Sequence, residues 1–255
     1  MPQFKQCIML TTLNTMKPQF LSPLFLQKLI WIPTRLSLLF FGKLHIRGFE
    51  NIQGLSNNVI FACNHSSELD PILIPASLPF WSHFSPIFYA SRESKFYANS
   101  GWRKHFYGGF FFKLWGAYPL HTGLKDYEKS MINQIRLMRD GANMCVFPEG
   151  GKTRDGSIQP AKGGVAYLAE RTKKTIVPVG LSGVYEMSLS DFLLRRREIT
   201  VHFGKPITQE ELRENVVRRI DVGDHVYKAE AKYVMNRVQL LLEPSKVPLS
   251  AKIAI

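Results

Sequence analysis

The chain has 255 residues, of which 45% are hydrophobic and 21% are charged, and this balance excludes an intrinsically disordered protein. The length suffices for one large core or at most two small ones. A formal net charge of +13 predicts an anionic partner, which is a nucleic acid, a bilayer surface or a phosphorylated substrate, and it does not choose among them.

Residues 1–42 form an apolar and basic N-terminal segment. Residues 1–49 contain no acidic side chain, and the apolar run within them is rich in aromatic residues. Pro23 and Pro33 interrupt the run, which argues against one straight helix that spans a bilayer. We therefore predict a pair of helices that lies in the membrane interface, with a core helix as the alternative.

After this segment, short apolar runs alternate with amphipathic helical patterns. Helices are predicted where Tyr127 to Met138 and Val165 to Ala169 repeat at helical spacing, and the tail from Thr208 to Leu242 predicts one or two surface helices. The pattern predicts an α/β fold with a mostly parallel central sheet flanked by helices, in one domain over residues 43–255. The predicted strands are Lys43–Arg47, Asn58–Cys63, Pro86–Ala90, Ala117–Leu120, Asn143–Phe147, Thr175–Gly180 and Glu198–Phe203.

The segment NHSSELD places His65 and Asp70 between an apolar run and a helix-like run. On a regular helix, five residues turn through about 500°, so the two side chains would point apart. They meet if His65 lies in the turn and Asp70 begins the helix, and an aspartate followed by Pro71 favours such a start. We expect one carboxylate oxygen to cap the helix and the other to accept the Nδ1–H of His65, which leaves Nε2 as a base.

A second histidine and aspartate share this spacing, His121 and Asp126 in HTGLKD. No apolar helix follows them, so we interpret this pair as coincidence. Ser66 and Ser67 adjoin the base, but no nucleophile motif such as GxSxG supports either of them. A base without a protein nucleophile suggests that a substrate hydroxyl attacks, which means transfer onto an alcohol.

Further along, FPEGGKTRDG ends an apolar strand in a glycine turn and then presents Lys152, Thr153 and Arg154. A glycine turn at a strand end, with cations beside it, can hold an anion such as a phosphate. A simple hairpin turn is the alternative.

The cysteines of the chain, Cys7, Cys63 and Cys145, form neither a CxxC motif nor a metal-ligand spacing. Cys63 and Cys145 lie inside apolar runs, where a cysteine usually acts as a small buried hydrophobe. We therefore expect a reduced, intracellular setting and no bound metal.

Four ordered segments, NHSSELD, GAYPL, FPEGGKTRDG and IVPVG, resemble the four blocks of the glycerolipid acyltransferase family, which includes the 1-acyl-glycerol-3-phosphate acyltransferases. The resemblance implies an α/β domain with a membrane-docking N-terminal helical segment, which transfers an acyl group from a thioester to a lipid hydroxyl. His65 matches the family's base and Asp70 its orienting acid. Glu149 and Gly150 match the third block.

Two positions depart from the family pattern. The second block usually ends in an arginine associated with the acceptor phosphate, where this chain has Thr122. The usual Glu-Gly-Thr-Arg of the third block aligns with Glu149 to Lys152, and lysine keeps the charge but loses the bidentate fork. The predicted substrate-binding residues are Glu149, Gly150, Gly151, Lys152, Thr153, Arg154 and Thr122, with Arg154 as the cation that compensates.

The expected reaction moves a fatty acyl group from acyl-CoA or acyl-ACP to 1-acyl-glycerol-3-phosphate and gives phosphatidic acid. Glycerol 3-phosphate, a lyso-ornithine lipid and other lysophospholipids are alternative acceptors. A non-catalytic basic membrane-binding protein is the alternative of another class, but it leaves His65 and Asp70 unexplained. We expect no cofactor. We also expect no nucleic-acid partner, since the sequence has no aromatic-basic motif of the kind that binds nucleic acids. The expected partners are the bilayer, at its cytoplasmic face, and the acyl carrier.

Overall fold

A computed structural model describes residues 17–93, 110–124, 126–216 and 224–242. Within these ranges, the chain forms a seven-stranded sheet in the order β1-β7-β6-β2-β5-β3-β4. Every apolar run predicted as a strand contributes one strand. The strands are β1 (His45–Arg47), β2 (Ile60–Cys63), β3 (Ile87–Ser91), β4 (Ala117–Pro119), β5 (Asn143–Val146), β6 (Ile176–Ser182) and β7 (Thr200–Phe203).

The sheet is parallel except at β6 and β7, which pair antiparallel. The mostly parallel sheet predicted from the sequence is thereby confirmed. Strand β2 lies in the middle, with β5 on one side and β6 on the other; Phe61 is opposite Cys145 on β5 and Val177 on β6. Because β2, β5 and β3 are parallel neighbours, the turns that follow them meet at one edge of the sheet.

Helices cover both faces of the sheet. The helices are α1 (Pro18–Phe40), α2 (Glu50–Gln53), α3 (Asp70–Ser77), α4 (Phe110–Trp115), α5 (Tyr127–Ser130), α6 (Ile132–Arg139), α7 (Gly164–Thr172), α8 (Leu189–Leu193), α9 (Gln209–Val216) and α10 (Asp224–Gln239). Alternate residues of β2 face opposite layers: Phe61 and Cys63 join the core with α3, whereas Ile60 and Ala62 join the core with α6, α7 and α10.

The N-terminal segment is continuous across its two prolines, where the sequence predicts a break. In the described part of residues 1–42, which begins at residue 17, one helix runs from residue 18 to residue 40 with Pro23 and Pro33 inside it. The helix pair over the whole segment stays a prediction. Residues 1–16 lie outside the described part. Within that part, no helix combines the length and the apolar character that crossing a bilayer requires.

Hydrogen bonds from α1 to the rest of the domain explain why the two prolines do not break it. Gln27 is buried, donates to Ile87 O and accepts from Ile87 N. Trp31 Nε1 and Arg35 Nη1 donate to carbonyls of Leu78 and Ala76 at the C-terminal end of α3, at 3.0 and 2.6 Å. An internal proline costs about 3 kcal/mol in an isolated helix, and these tertiary contacts offset it.

Two other helical predictions need correction. The helix expected from Tyr127 to Met138 is divided at Met131, whose φ of −111° and ψ of 18° fall outside the helical region. The tail helices are not confined to the surface, because Ala231, Val234 and Val238 of α10 are fully buried. The inner face of α10 is mostly apolar, as in a helix that packs on a sheet, and it also buries Glu230.

Candidate active site

His65 and Asp70 are bonded to each other at the carboxyl end of β2. The distance from His65 Nδ1 to Asp70 Oδ2 is 2.9 Å. The side chain of Asp70 is completely buried, whereas that of His65 is 19% exposed. With a carboxylate accepting at Nδ1, the proton sits on Nδ1 and Nε2 keeps its lone pair.

The carboxylate is held differently from the prediction. One oxygen, Asp70 Oδ2, also accepts from the backbone N–H groups of Ser66 at 2.6 Å and Ser67 at 2.8 Å. Asp70 is the first residue inside α3 rather than its cap, and its second oxygen, Oδ1, is buried without a hydrogen-bond partner among the described residues. The prediction that one oxygen caps the helix while the other accepts from the imidazole is therefore wrong. Asp70 Oδ2 therefore holds both the imidazole of His65 and the backbone of the turn that follows it.

The imidazole lies against an aromatic ring from the neighbouring strand. Phe147, the first residue after β5, stacks on His65 with centroids 4.2 Å apart and planes 22° from parallel. The stack leaves the ring little freedom to rotate and shields one of its faces from water. A base in such a position is both oriented and partly desolvated.

Glu149 is buried and ties the two strand ends together. Its Oε1 accepts from His65 N at 2.7 Å, and its Oε2 accepts from Gln159 N at 2.8 Å. Burial raises the pKa of Glu149 above its ordinary value, and the two backbone N–H groups oppose that rise. These contacts make Glu149 part of the frame around His65; its predicted contact with substrate stays a prediction.

The rest of the predicted third block continues around His65. Thr153 N donates to His65 O at 2.8 Å, so the loop also holds the base from its other side. Lys152 Nζ lies 3.1 Å from Glu68 Oε1, within the turn between His65 and Asp70. Arg154 is an exposed residue, and its carbonyl accepts from the hydroxyl of Tyr185 at 2.9 Å.

Gly150 and Gly151 allow two long cations to approach the loop. Gly150 has φ of +72°, and a Cβ there would lie 2.7 Å from Lys162 Nζ. A Cβ at Gly151 would lie 2.7 Å from Arg92 Nη2, which donates to Gly150 O at 2.5 Å. Neither Arg92 nor Lys162 is among the residues predicted from the sequence. For Arg92 a signal existed, because it directly follows a strand, at the sheet edge where such residues gather.

Thr122 follows β4, which is the third strand from β2 in the sheet. At the usual spacing of strands, the ends of β4 and β2 lie about 14 Å apart, and the dyad of His65 and Asp70 follows β2. The predicted contact of Thr122 with substrate stays a prediction. The neighbouring His121 bonds Glu93, with 3.0 Å between Nδ1 and Oε1, and Asp126 accepts from Lys129 N at the start of α5. The interpretation of His121 and Asp126 as coincidence is thereby confirmed.

The fold and the dyad define an α/β protein with an oriented imidazole base at the carboxyl ends of its central parallel strands. No three side chains of the types that bind metals come together in the described ranges. The chain belongs to the acyltransferase family, whose model matches residues 43–182. The resemblance of the four segments to that family is confirmed.

The chain is also similar to individual proteins. It is 26% identical over 170 residues to the chloroplastic 1-acyl-sn-glycerol-3-phosphate acyltransferase BAT2 of Brassica napus, covering 66% of this chain and 46% of that protein. It is 25% identical over 139 residues to a 1-acyl-sn-glycerol-3-phosphate acyltransferase of Borreliella burgdorferi, covering 54% of this chain and 51% of that protein. The chain thus spans about half the length of the curated relatives it matches.

A solved structure shares the fold. The 1-acyl-sn-glycerophosphate acyltransferase PlsC of Thermotoga maritima aligns with a TM-score of 0.56 at 18% identity. The alignment covers 93% of this chain and 89% of that one, so the shared architecture extends over most of the molecule.

Proposed function

We propose that this chain transfers a fatty acyl group from a thioester donor to the hydroxyl of a lysophospholipid, with 1-acyl-glycerol-3-phosphate as the acceptor and phosphatidic acid as the product. The observation that carries the proposal is the 2.9 Å bond between His65 Nδ1 and Asp70 Oδ2 in a member of the acyltransferase family. The names of the relatives support the choice of acceptor.

In the proposed step, the acceptor hydroxyl gives its proton to His65 Nε2 while its oxygen attacks the thioester carbonyl. Asp70 stabilises the imidazolium that forms. The tetrahedral intermediate then collapses, the C–S bond breaks, and the leaving sulfur takes the proton back from His65. An oriented base of this kind contributes about 10²–10⁴ in rate. A thiol, with a pKa near 8.5, is a good enough leaving group for the remaining step.

Cations around the loop after β5 support an anionic acceptor or donor. Arg92 and Lys162 approach Gly150 and Gly151 from outside the loop, and Arg154 belongs to the loop. Phosphate groups occur on the acceptor and on both acyl carriers. Acyl-CoA and acyl-ACP present the same thioester to His65, so a comparison of rates with the two donors decides between them.

One observation favours a second class of acceptor. Lys152 stands where the family has an arginine, and it is engaged with Glu68 at 3.1 Å. Thr122 stands at the other usual arginine position. An acceptor with less negative charge than a phosphate monoester, such as a lyso-ornithine lipid or a phosphodiester lysophospholipid, suits these replacements better.

We also propose that α1 lies in the membrane interface on the cytoplasmic side. Its outward residues form one apolar stripe at helical spacing, and α1 carries no acidic residue. The stripe consists of Leu21, Phe25, Leu29, Ile32, Leu36 and Phe40, which are exposed by 42%, 65%, 61%, 55%, 61% and 58%. Exposed apolar rows of this length are typical of helices that rest on lipid.

The test is an acceptor panel assayed by thiol release from labelled acyl-CoA and from acyl-ACP. His65→Ala is expected to lose at least a hundredfold in rate with every acceptor. His121→Ala is the matched control, because His121 has the same spacing to an aspartate and does not bond it, and it should keep the wild-type rate. Equal activity of the two variants would reject the proposed mechanism. Preference for an acceptor without a phosphate monoester would select the second class.

A further inference from the structure

Helix α8 and the residues after it form an exposed apolar and basic surface outside the candidate active site. Leu189, Leu193 and Leu194 are exposed by 73%, 49% and 61%. Three arginines follow directly, at positions 195–197. We name these six residues the α8 patch. Single exposed leucines are ordinary on protein surfaces, whereas a cluster bordered by cations is typical of an interaction site.

The element that carries the patch is firmly held. Ser188 and Asp191 form a capping box, in which Asp191 N donates to Ser188 Oγ at 3.0 Å and Ser188 N donates to Asp191 Oδ2 at 3.2 Å. On the inner side, Phe192 packs against Phe41, with ring centroids 5.6 Å apart. The exposure of the three leucines is therefore a property of the folded surface.

The patch connects the exposed face of α1 with the loop beside the dyad. The guanidinium of Arg195 lies 4.8 Å from the ring centroid of Phe40, at the end of the apolar stripe of α1. Upstream of α8, the hydroxyl of Tyr185 donates to Arg154 O at 2.9 Å. Arg154 directly follows the residue that bonds His65 O. The surface thus continues from α1 towards the opening of the candidate site.

We propose that the α8 patch is a second docking surface for an anionic bilayer, with its leucines in the apolar boundary and its arginines among the headgroups. The inference rests on the proposed function, in that a lipid acceptor must reach His65 from a membrane. An apolar centre with a basic border matches an anionic lipid surface.

The charges near the patch favour lipid over a second copy of this chain. Asp191 is used in the capping box and lies 3.7 Å from Arg196, and Glu198 lies 3.7 Å from Lys43. Both acids are thus close to cations, and the three arginines give the patch a net positive charge. Two copies meeting here would bring together two basic surfaces of chains with a net charge of +13, which opposes association.

The first test measures sedimentation of the full chain with phosphatidylcholine vesicles that contain phosphatidylglycerol, and with phosphatidylcholine vesicles alone. A triple variant with Leu189→Gln, Leu193→Gln and Leu194→Gln should bind the anionic vesicles about tenfold more weakly or worse. The matched control replaces Leu124, Ile132 and Leu240 by Gln, since these residues are exposed by 50%, 57% and 79% and belong to neither α1 nor α8. Wild-type binding by the α8 triple variant, or an equal loss in the control, overturns the proposal.

The second test replaces Arg195, Arg196 and Arg197 by Gln. We expect binding to anionic vesicles to weaken by about tenfold to a hundredfold and to depend less on salt, while binding to phosphatidylcholine alone is unchanged. If this variant binds vesicles normally but fails only with the carrier-protein donor, the arginines bind that acidic partner and the proposal is wrong. A dimer in light scattering that the leucine variant dissociates would also overturn it.

A third measurement separates this inference from the proposed function. With a short-chain acceptor dissolved as monomers and no vesicles present, both α8 variants should release thiol at the wild-type rate. A wild-type protein that binds vesicles as expected but releases no thiol would reject the proposed function and leave the docking surface standing.

Discussion

Replacing Glu149 by Gln tests whether this carboxylate holds the base or contacts the substrate. Glu149 accepts two backbone N–H groups, one on each oxygen, from His65 at 2.7 Å and from Gln159 at 2.8 Å. Glutamine has one acceptor oxygen and one NH₂ group that only donates. In the variant, one of the two backbone N–H groups therefore faces another donor in a buried place.

The expected magnitudes follow from this geometry. A hydrogen bond to a charged group contributes about 1.5–3 kcal/mol. Part of this loss is offset, because glutamine carries no charge and so avoids the cost of burying a carboxylate. That cost is what raises the pKa of Glu149. We expect a net fall of about 1–2 kcal/mol in the free energy of unfolding. A displaced backbone at His65 misplaces the base, so kcat should fall by about tenfold to a hundredfold while KM stays near the wild-type value.

The pH dependence of unfolding gives an independent check. Because the pKa of Glu149 is raised in the folded state, the folded protein binds more protons than the unfolded chain between the two pKa values. Wild-type stability therefore falls as the pH rises from the ordinary glutamate range through the raised pKa, and this fall should be absent in the Gln variant. Denaturant titrations at several pH values measure it. A raised KM with unchanged kcat and stability would show that Glu149 contacts substrate and refute the positioning role.

Three further substitutions test the site. Asp70→Asn keeps an oxygen for the turn but cannot stabilise an imidazolium, so single-turnover thiol release should slow by about 10²–10⁴ while vesicle binding is unchanged. Phe147→Ala removes a ring stack that contributes about 0.5–1.5 kcal/mol to the orientation of His65, so kcat should fall by up to about tenfold in the same assay. Gly150→Ala should destabilise the protein by about 1–3 kcal/mol in denaturant titrations, because φ is +72° and the Lys162 side chain occupies the Cβ position. Gly54→Ala is its control, since φ is −89° and the Cβ position is open, and it should leave stability nearly unchanged.

Much of the sheet could be predicted because its strands are short apolar runs separated by turns and helical patterns. Fully buried strands such as β2 and β5 read as uninterrupted apolar segments, as expected for a parallel sheet covered on both faces. The pairing of His65 with Asp70 could also be predicted, since it depends on local spacing and on the helix that starts at Asp70. Local patterns suffice where the contact is local.

The features that the sequence did not reveal depend on contacts between distant segments. Arg92 reaches Gly150 only because β3 lies next to β5, and the order of strands cannot be read from the runs themselves. The single helix α1 persists through its prolines because Gln27 and Arg35 bond to backbone groups far along the chain. Which oxygen of Asp70 accepts the imidazole depends on where the turn places its N–H groups.

The position of Lys152 shows how a departure from the family pattern can serve the same site in another way. Its ammonium bonds Glu68, which lies between His65 and Asp70, so it joins the turn after β2 to the loop after β5. Glu149 and Thr153 join the same two segments through the backbone of His65. All three ties are possible because β2 and β5 are adjacent and parallel, which brings their carboxyl ends together. An ammonium group that is already paired with a carboxylate attracts a phosphate less strongly. Any anion that binds at this loop should therefore depend more on Lys162 than on Lys152, since within the described residues the Lys162 ammonium approaches Gly150 without a carboxylate partner.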